Sequence, residues 1–284
     1  MSGNSVSGII DMHIHSAPDV RKRRLDDLEL MEAAVKLGAR AVVIKSHMVC
    51  TADRAALVNK IREEKYPESD FQMFGGIALN RPVGGINPWA VDAALKLGAK
   101  VVWLPTNTAA NHFRKENKEG GVEIIKDGQV TEELRSVFER IKEHDAVLAT
   151  GHISPEECFR VTEAARDAGV KKIVITHPEF HIVGMSLKDQ IRIVKDYDVM
   201  LERVYAQPIG GGVYKNNLPD NVEAIRAVGC DHIIVSTDSG QMQNPPWYES
   251  IVEYVEYLRN AGITEAEIEK MTQINPGRML GIEK

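Results

Sequence analysis

The sequence predicts an α/β protein, a (β/α)8 TIM barrel with a hairpin-containing insertion after its fourth strand. Three observations carry this expectation. Eight short, continuous apolar runs rich in Val and Ile recur along the 284 residues, and an unbroken run is how a strand buried on both faces of a parallel sheet reads. Stretches with helical spacing and helix start and stop signals separate them. The strands start about 32 residues apart, close to the ~30 of one strand–helix unit. Eight units favour a closed barrel over an open doubly wound sheet, as a single domain over residues 1–284.

The elements follow in order. Strand one is Gly8 to His15, and Leu25 to Leu37 follows as a helix stopped by Gly38. Strand two is Ala41 to His47 and strand three Phe71 to Leu79, the latter followed by a helix from Pro88 to Leu97 that ends at Gly98. Strand four, Lys100 to Pro105, opens the longest interval. Its extra residues, Thr106 to Val130, contain Asp127-Gly128 between apolar stretches, a hairpin signal. They are read as an excursion beside the barrel mouth. Strand five, Ala146 to His152, leads into Ser154-Pro155-Glu156-Glu157, a capping box with Pro at the first helical position, and that helix stops at Gly169. Strand six is Lys172 to His177. Strand seven, Val199 to Tyr205, precedes Gly210-Gly211-Gly212, read as a mobile gate, and a helix from Asp220 to Val228 stopped by Gly229. After strand eight, His232 to Thr237, a capping box at Thr264-Glu265-Ala266-Glu267 opens the last helix.

Composition narrows the function. Hydrophobic residues make up 43% and charged residues 27%, which excludes a disordered chain, a coiled coil or a collagen-like fibre. A net charge of −6 argues against a nucleic-acid partner. No apolar run approaches the ~18 residues of a membrane span, and Met1 to Ser7 lacks the basic and apolar regions of a signal peptide. Three cysteines form no disulfide framework, which suits the cytoplasm. The expected partner is a small-molecule substrate; a homo-oligomer is compatible with the sequence.

The histidines point to chemistry. In such barrels the reactive groups sit at the C-terminal strand ends, where chance would place about one of the nine histidines. Five fall there: His13, His15, His47, His152 and His177. His13 and His15 stand two apart in Asp11-Met12-His13-Ile14-His15, so both point to one side of strand one. His152 ends strand five, His177 ends strand six, and Asp238 follows strand eight. Four imidazoles and a carboxylate around one ring suit a divalent metal, Zn²⁺ first, with Mn²⁺, Fe²⁺ or Ni²⁺ also fitting.

These residues resemble the amidohydrolase superfamily of metal-dependent hydrolases, whose pattern is His-x-His on strand one, His on strands five and six and Asp on strand eight. Asn275-Pro276-Gly277-Arg278-Met279-Leu280-Gly281 is similar to an ending common there. The resemblance implies that His13, His15, His152, His177 and Asp238 hold the metal or adjoin it, and that Asp238 shuttles the proton. His177 would help polarise the scissile group. One departure stands out: strand four, Val101-Val102-Trp103-Leu104-Pro105-Thr106, lacks the Lys or Glu of many members. The strand-end lysine here is Lys45, on strand two and on the same face as His47. Lys45 either is carboxylated and bridges two ions or stays a cation that contacts substrate. One ion is preferred to two.

The loops bear on substrate. Arg21-Lys22-Arg23-Arg24 follows strand one; Arg21 and Lys22 read as a solvated run, whereas Arg23 and Arg24, with Arg81 after strand three, would hold a carboxylate or phosphate. Gly84 and Gly85 either form a turn or offer N–H groups to an anion. His47, His112, Glu202 and Gln241 are further candidates for substrate contact, although His112 reads more simply as part of a solvent-facing loop. The expected function is a metal-dependent hydrolase of a small anionic amide, ester, lactone or phosphoester. The alternative is a metal-dependent decarboxylase of a small carboxylic acid.

Overall fold

The computed structural model describes residues 6–282. The strands are β1 Ile10–Ile14, β2 Ala41–Ile44, β3 Gln72–Phe74, β4 Gly76–Ala78, β5 Val101–Trp103, β6 Ile125–Lys126, β7 Gln129–Val130, β8 Val147–Ala149, β9 Lys172–Ile175, β10 Met200–Arg203, β11 Ala206–Gly210, β12 Val213–Asn216 and β13 Ile233–Val235. The helices are α1 Asp27–Leu37, α2 Ala52–Lys65, α3 Pro88–Lys96, α4 Ala110–Lys115, α5 Glu132–Glu143, α6 Pro155–Asp167, α7 Leu187–Tyr197, α8 Leu218–Val228, α9 Trp247–Asn260, α10 Glu265–Glu269 and α11 Asn275–Leu280. The described residues pack as two compact units: one takes residues 6–45, Asp53–Gly75 and residues 203–282, the other Ser46–Ala52 and Gly76–Glu202.

In the first unit β1, β2 and β3 form a parallel sheet, with Ile10 opposite Ala41 and Ala41 opposite Gln72. All of β1 and β2 is buried, as their unbroken apolar runs require. Helix α1 starts at Asp27 rather than Leu25 because Asp26 is its N-cap, accepting from Leu28 and Glu29 N while Glu29 bonds back to Asp26 N. The three glycines expected as a gate instead close an antiparallel hairpin, β11–β12. Gly211 and Gly212 supply the left-handed φ values of 60° and 78° that a two-residue turn demands. The capping box at Thr264 is present, but its helix is short and passes into a π-helical stretch, Lys270–Ile274, before α11.

In the second unit β4, β5, β8 and β9 pair in parallel in that order, β9 pairs with β10, and helices connect successive strands. The insertion after strand four contains the expected hairpin, β6–β7, turning at Asp127 (φ 50°) and Gly128 (φ 77°). It also contains α4, which places His112 on a helix rather than in a solvent-facing loop.

Every predicted strand contains an observed one, yet the ladders stop short of the chemistry-bearing residues. His15, Lys45, His47, His152, His177 and Asp238 all lie beyond the last residue of their strands. At His177 (φ 29°) and Asp238 (φ 50°) the backbone enters the left-handed region, which non-glycine residues occupy only when their surroundings enforce it. The third strand breaks into β3 and β4. Gly76, at the start of β4, is gripped by Thr51, whose Oγ1 accepts from Gly76 N (2.9 Å) and donates to its carbonyl (3.2 Å). Among the described residues no helix is long and apolar enough to cross a membrane.

A Cβ at Gly76 would lie 2.4 Å from both Trp103 Cζ3 and the Val101 carbonyl oxygen, in a wall with no slack. Gly76→Ala is therefore expected to destabilise the protein by about 1–3 kcal/mol through overpacking. Urea unfolding midpoints measure this, and an unchanged midpoint contradicts the packing described.

Candidate functional site

In the first unit, the period of two puts Asp11, His13 and His15 on one side of the chain, and all three are buried. Asp11 is the anchor. Its carboxylate accepts from His13 N (3.0 Å), Thr237 N (3.1 Å), Thr237 Oγ1 (2.6 Å) and Trp247 Nε1 (3.0 Å). Burial pushes its carboxyl up to about 7, but four donors facing it fit the ionised form. The clamp fixes the two stretches that carry the reactive groups. Asp238 N donates to His13 O (2.9 Å) and His15 N to Ser239 O (2.8 Å). Asp238 Oδ1 consequently stands 3.3 Å from His13 Nε2 and 3.1 Å from His15 Nε2. Among the described residues these three alone form a group of metal-ligating atoms, all within 4.8 Å of one another.

The surroundings keep both imidazoles neutral. Burial, then the nearby Lys45 charge, lowers His13 to about 3. Burial, then Arg23, lowers His15 well below the usual range. Lys45, itself buried, donates from Nζ to His13 Nε2 at 2.9 Å. Neutral imidazoles and a carboxylate are the donors that a borderline divalent ion prefers, so the residues present fit such an ion. An entering ion and the Lys45 ammonium compete for one lone pair on His13.

Other expected substrate ligands serve as struts. Arg23 is buried, paired to Asp19 (Nη2–Oδ2 2.7 Å), with Nη2 3.3 Å from His15 Nδ1. Arg24 Nε donates to Asn244 O (3.1 Å), and Gln241 Nε2 donates to Asp238 O (2.7 Å), bracing the Asp238 loop. That loop is tight: a Cβ on Gly240 would lie 1.8 Å from His15 O. Two residues with no assigned role in the sequence belong here. Asp11 stood in the motif beside the histidines. Tyr214, the one residue of β12 that is not exposed, feels the charges of Asp238, Arg21 and Arg23, and burial raises its phenol.

In the second unit His47 Nδ1 bonds Thr106 Oγ1 (2.8 Å), and Asn80 ties Thr106 to the His47 carbonyl. His152 and His177 lie with ring centroids 5.0 Å apart, and Phe180 stands edge-on to both at 5.2 Å. His112 Nδ1 is 2.7 Å from His152 Nδ1. Glu202 is buried at the end of β10. Arg81 is exposed, lies over the Phe113 ring and lines an open cavity of about 530 Å³. Gly84 and Gly85 make a turn, their N–H groups donating to Arg81 O and Asn80 O.

Known proteins add the following. A model described as a family of unknown function, DUF6282, matches residues 8–202, more than half of the chain. The chain belongs to that family. No curated protein matches the sequence. Among solved structures, an amidohydrolase from Pseudomonas aeruginosa is 16% identical, with 98% of this chain and 96% of that one covered and a TM-score of 0.68. A TIM-barrel protein from Bordetella bronchiseptica is 13% identical over 96% and 98%, with a TM-score of 0.58. A dihydroxybenzoic acid decarboxylase from Polaromonas sp. JS666, with bound manganese and 2-nitroresorcinol, is 13% identical over 97% of each chain, with a TM-score of 0.55. The chain thus shares the fold of these solved structures, a TIM barrel, as the sequence led us to expect.

The depressed His13 pKa has a consequence for stability. The unfolded chain takes up a proton near pH 6.5 that the folded imidazole refuses until about 3. Its contribution is therefore complete above 6.5 and lost as pH falls towards 3. Between pH 7 and 5, metal-stripped wild type is expected to lose about 2 kcal/mol more than His13→Gln. Denaturant titrations at the two pH values check this; equal losses contradict a neutral, buried His13.

Proposed function

We propose that the protein is a metal-dependent hydrolase of a small anionic substrate, with His13, His15 and Asp238 as its first metal ligands. The observation that carries this reading is the grouping of two neutral imidazoles and one carboxylate on strand ends of a barrel whose solved neighbours include hydrolases and decarboxylases. The cytoplasm is proposed as its compartment and Zn²⁺ as the metal, with Mn²⁺, Fe²⁺ or Ni²⁺ the other ions this donor set accepts. Strand order alone carries the extension to His152 as a further ligand and His177 as the group that helps polarise the scissile bond, because a parallel barrel gathers its strand C-termini on one face.

A divalent ion supplies Lewis acidity and makes water nucleophilic at neutral pH. The chain's own groups do the rest. His13 and His15 stay neutral and keep lone pairs for ligation. Asp238, side chain 18% exposed, is open enough to take the attacking water's proton and return it to the leaving group. Gln241 holds Asp238 from behind. Lys45, as the ammonium, is placed to attract the substrate's negative charge; carboxylated, it becomes an anionic ligand.

The second reading is decarboxylation, favoured by the dihydroxybenzoate decarboxylases among the solved neighbours. Release of CO₂ rather than an alcohol or amine from a panel of small carboxylic acids and esters decides between them.

The purified protein is expected to carry close to one equivalent of transition metal and to lose it in His13→Ala. Asp238→Asn is expected to cut turnover roughly 10²–10⁴-fold, the usual worth of a positioned proton carrier. Metal analysis and kinetics on the panel check both. A protein that neither holds nor responds to any divalent ion removes the reading.

A further inference from the structure

The insertion after strand four seats a second histidine against His152, a contact that the proposed reaction does not itself call for. Helix α4 is held to the strand-five end by Asn111, buried, whose Nδ2 donates to the carbonyls of His152 (3.0 Å) and Ile182 (2.9 Å). Its start is pinned by Ala110 N donating to Val122 O (3.0 Å), beside Gly121, where a Cβ would lie 2.5 Å from Ala110 Cα. This seating aims His112 at His152. Their rings are 19° from parallel and their Nδ1 atoms 2.7 Å apart. Two nitrogens at that distance share a single proton: two would collide, and none would leave lone pairs opposed.

The far side of His112 says which ring owns it. His112 Nε2 stands 3.3 Å from Glu116 Oε1, one helical turn on, while Lys118 occupies Glu116 Oε2 at 2.7 Å. A carboxylate paired with a lysine only accepts, so His112 carries its proton on Nε2. His112, its side chain 12% exposed and edge-on to the Phe180 ring, sits where the charge of a second proton would be poorly solvated. Its Nδ1 is then a lone pair, and the shared proton belongs to His152 Nδ1.

We infer that Glu116 and His112 are positioning residues that fix the tautomer of His152, with the proton on Nδ1 and the lone pair on Nε2. That is the form in which His152 binds a cation through Nε2; its use rests on the proposed metal reading, the tautomer itself does not. A metal-ligating histidine commonly gives its other N–H to a carboxylate. Here a second imidazole stands between the two.

Long-range ¹H–¹⁵N correlation spectra of metal-stripped, ¹⁵N-labelled protein read the tautomer, with His152 assigned by its loss in His152→Gln. Wild type is expected to show a protonated Nδ1 and a bare Nε2. His112→Phe, which keeps a ring beside Phe180, is expected to return His152 to the Nε2–H form usual in water. Glu116→Ala, at a half-exposed position, is expected to shift it part of the way. A wild-type His152 already protonated on Nε2, or one unchanged in His112→Phe, overturns the relay. A His152 unchanged in Glu116→Ala removes Glu116 from it. A separate Zn²⁺ titration is expected to show affinity reduced roughly 10–100-fold in His112→Phe. If wild type binds no Zn²⁺, the metal reading falls while the spectra still decide the relay.

Discussion

The first unit's site depends on one buried carboxylate. Asp11 gathers the N–H of His13, the N–H and hydroxyl of Thr237 and the indole of Trp247 into a single acceptor. Each of those donors, if left unmade in the interior, costs ~1–3 kcal/mol. The carboxylate therefore holds two strand ends that are 226 residues apart in sequence. One chain position beyond Thr237 stands Asp238, and His13 is itself one of the donors. The approach of Asp238 Oδ1 to both imidazoles is a by-product of this clamp, and so is any coordination sphere built from them. Trp247 makes the clamp sensitive to packing, since its indole is buried at the start of α9.

Much of the fold was legible because burial on both faces leaves a plain mark. The continuous apolar runs located every parallel strand, and glycine and capping signals located most helix ends. The ladder ends were not legible. Whether a backbone stays paired at His177 or Asp238 depends on neighbours that force a left-handed turn. The His-x-His motif and the strand-eight aspartate were readable from period and position, and the structure groups them. The basic run was misleading for a physical reason. Arg23 stands four residues from Asp19, and the pair saturates itself in a buried place, while Arg24 finds its acceptors at Gly240 and Asn244, far along the chain. His112 had a local signal that went unread: Glu116 four residues on is what one face of a helix looks like. Its partner across the unit, His152, is set by Asn111 and has no trace in local sequence.

In both units burial is the main cause of lowered histidine pKa values. In the first unit it lowers His13 and His15, and the charges of Lys45 and Arg23 lower them further. In the second it lowers His112, beside Phe180, which stands edge-on to four imidazoles, those of His112, His152, His177 and His181. For His13, His15 and His112 this favours lone pairs over positive charge on the rings. A cluster meant to hold an anion directly would gain from protonated imidazoles, and this one spends structure on preventing them.

Lys45 sharpens the point. Its ammonium sits on the His13 lone pair at 2.9 Å, so it satisfies a buried acceptor and is satisfied in return. Put a divalent ion on that nitrogen and the ammonium loses that acceptor and faces a doubly charged neighbour. At ~4 Å and an effective dielectric near 20, that repulsion is several kcal/mol. Three outcomes relieve it: the lysine swings away, it gives up a proton, or it gains a carboxyl group and reverses its charge. Each makes metal uptake release or rearrange something at Lys45. The lysine is therefore not a spectator of the centre, and the state in which it ends sets whether the site meets its substrate with a cation or with an anionic ligand already in place.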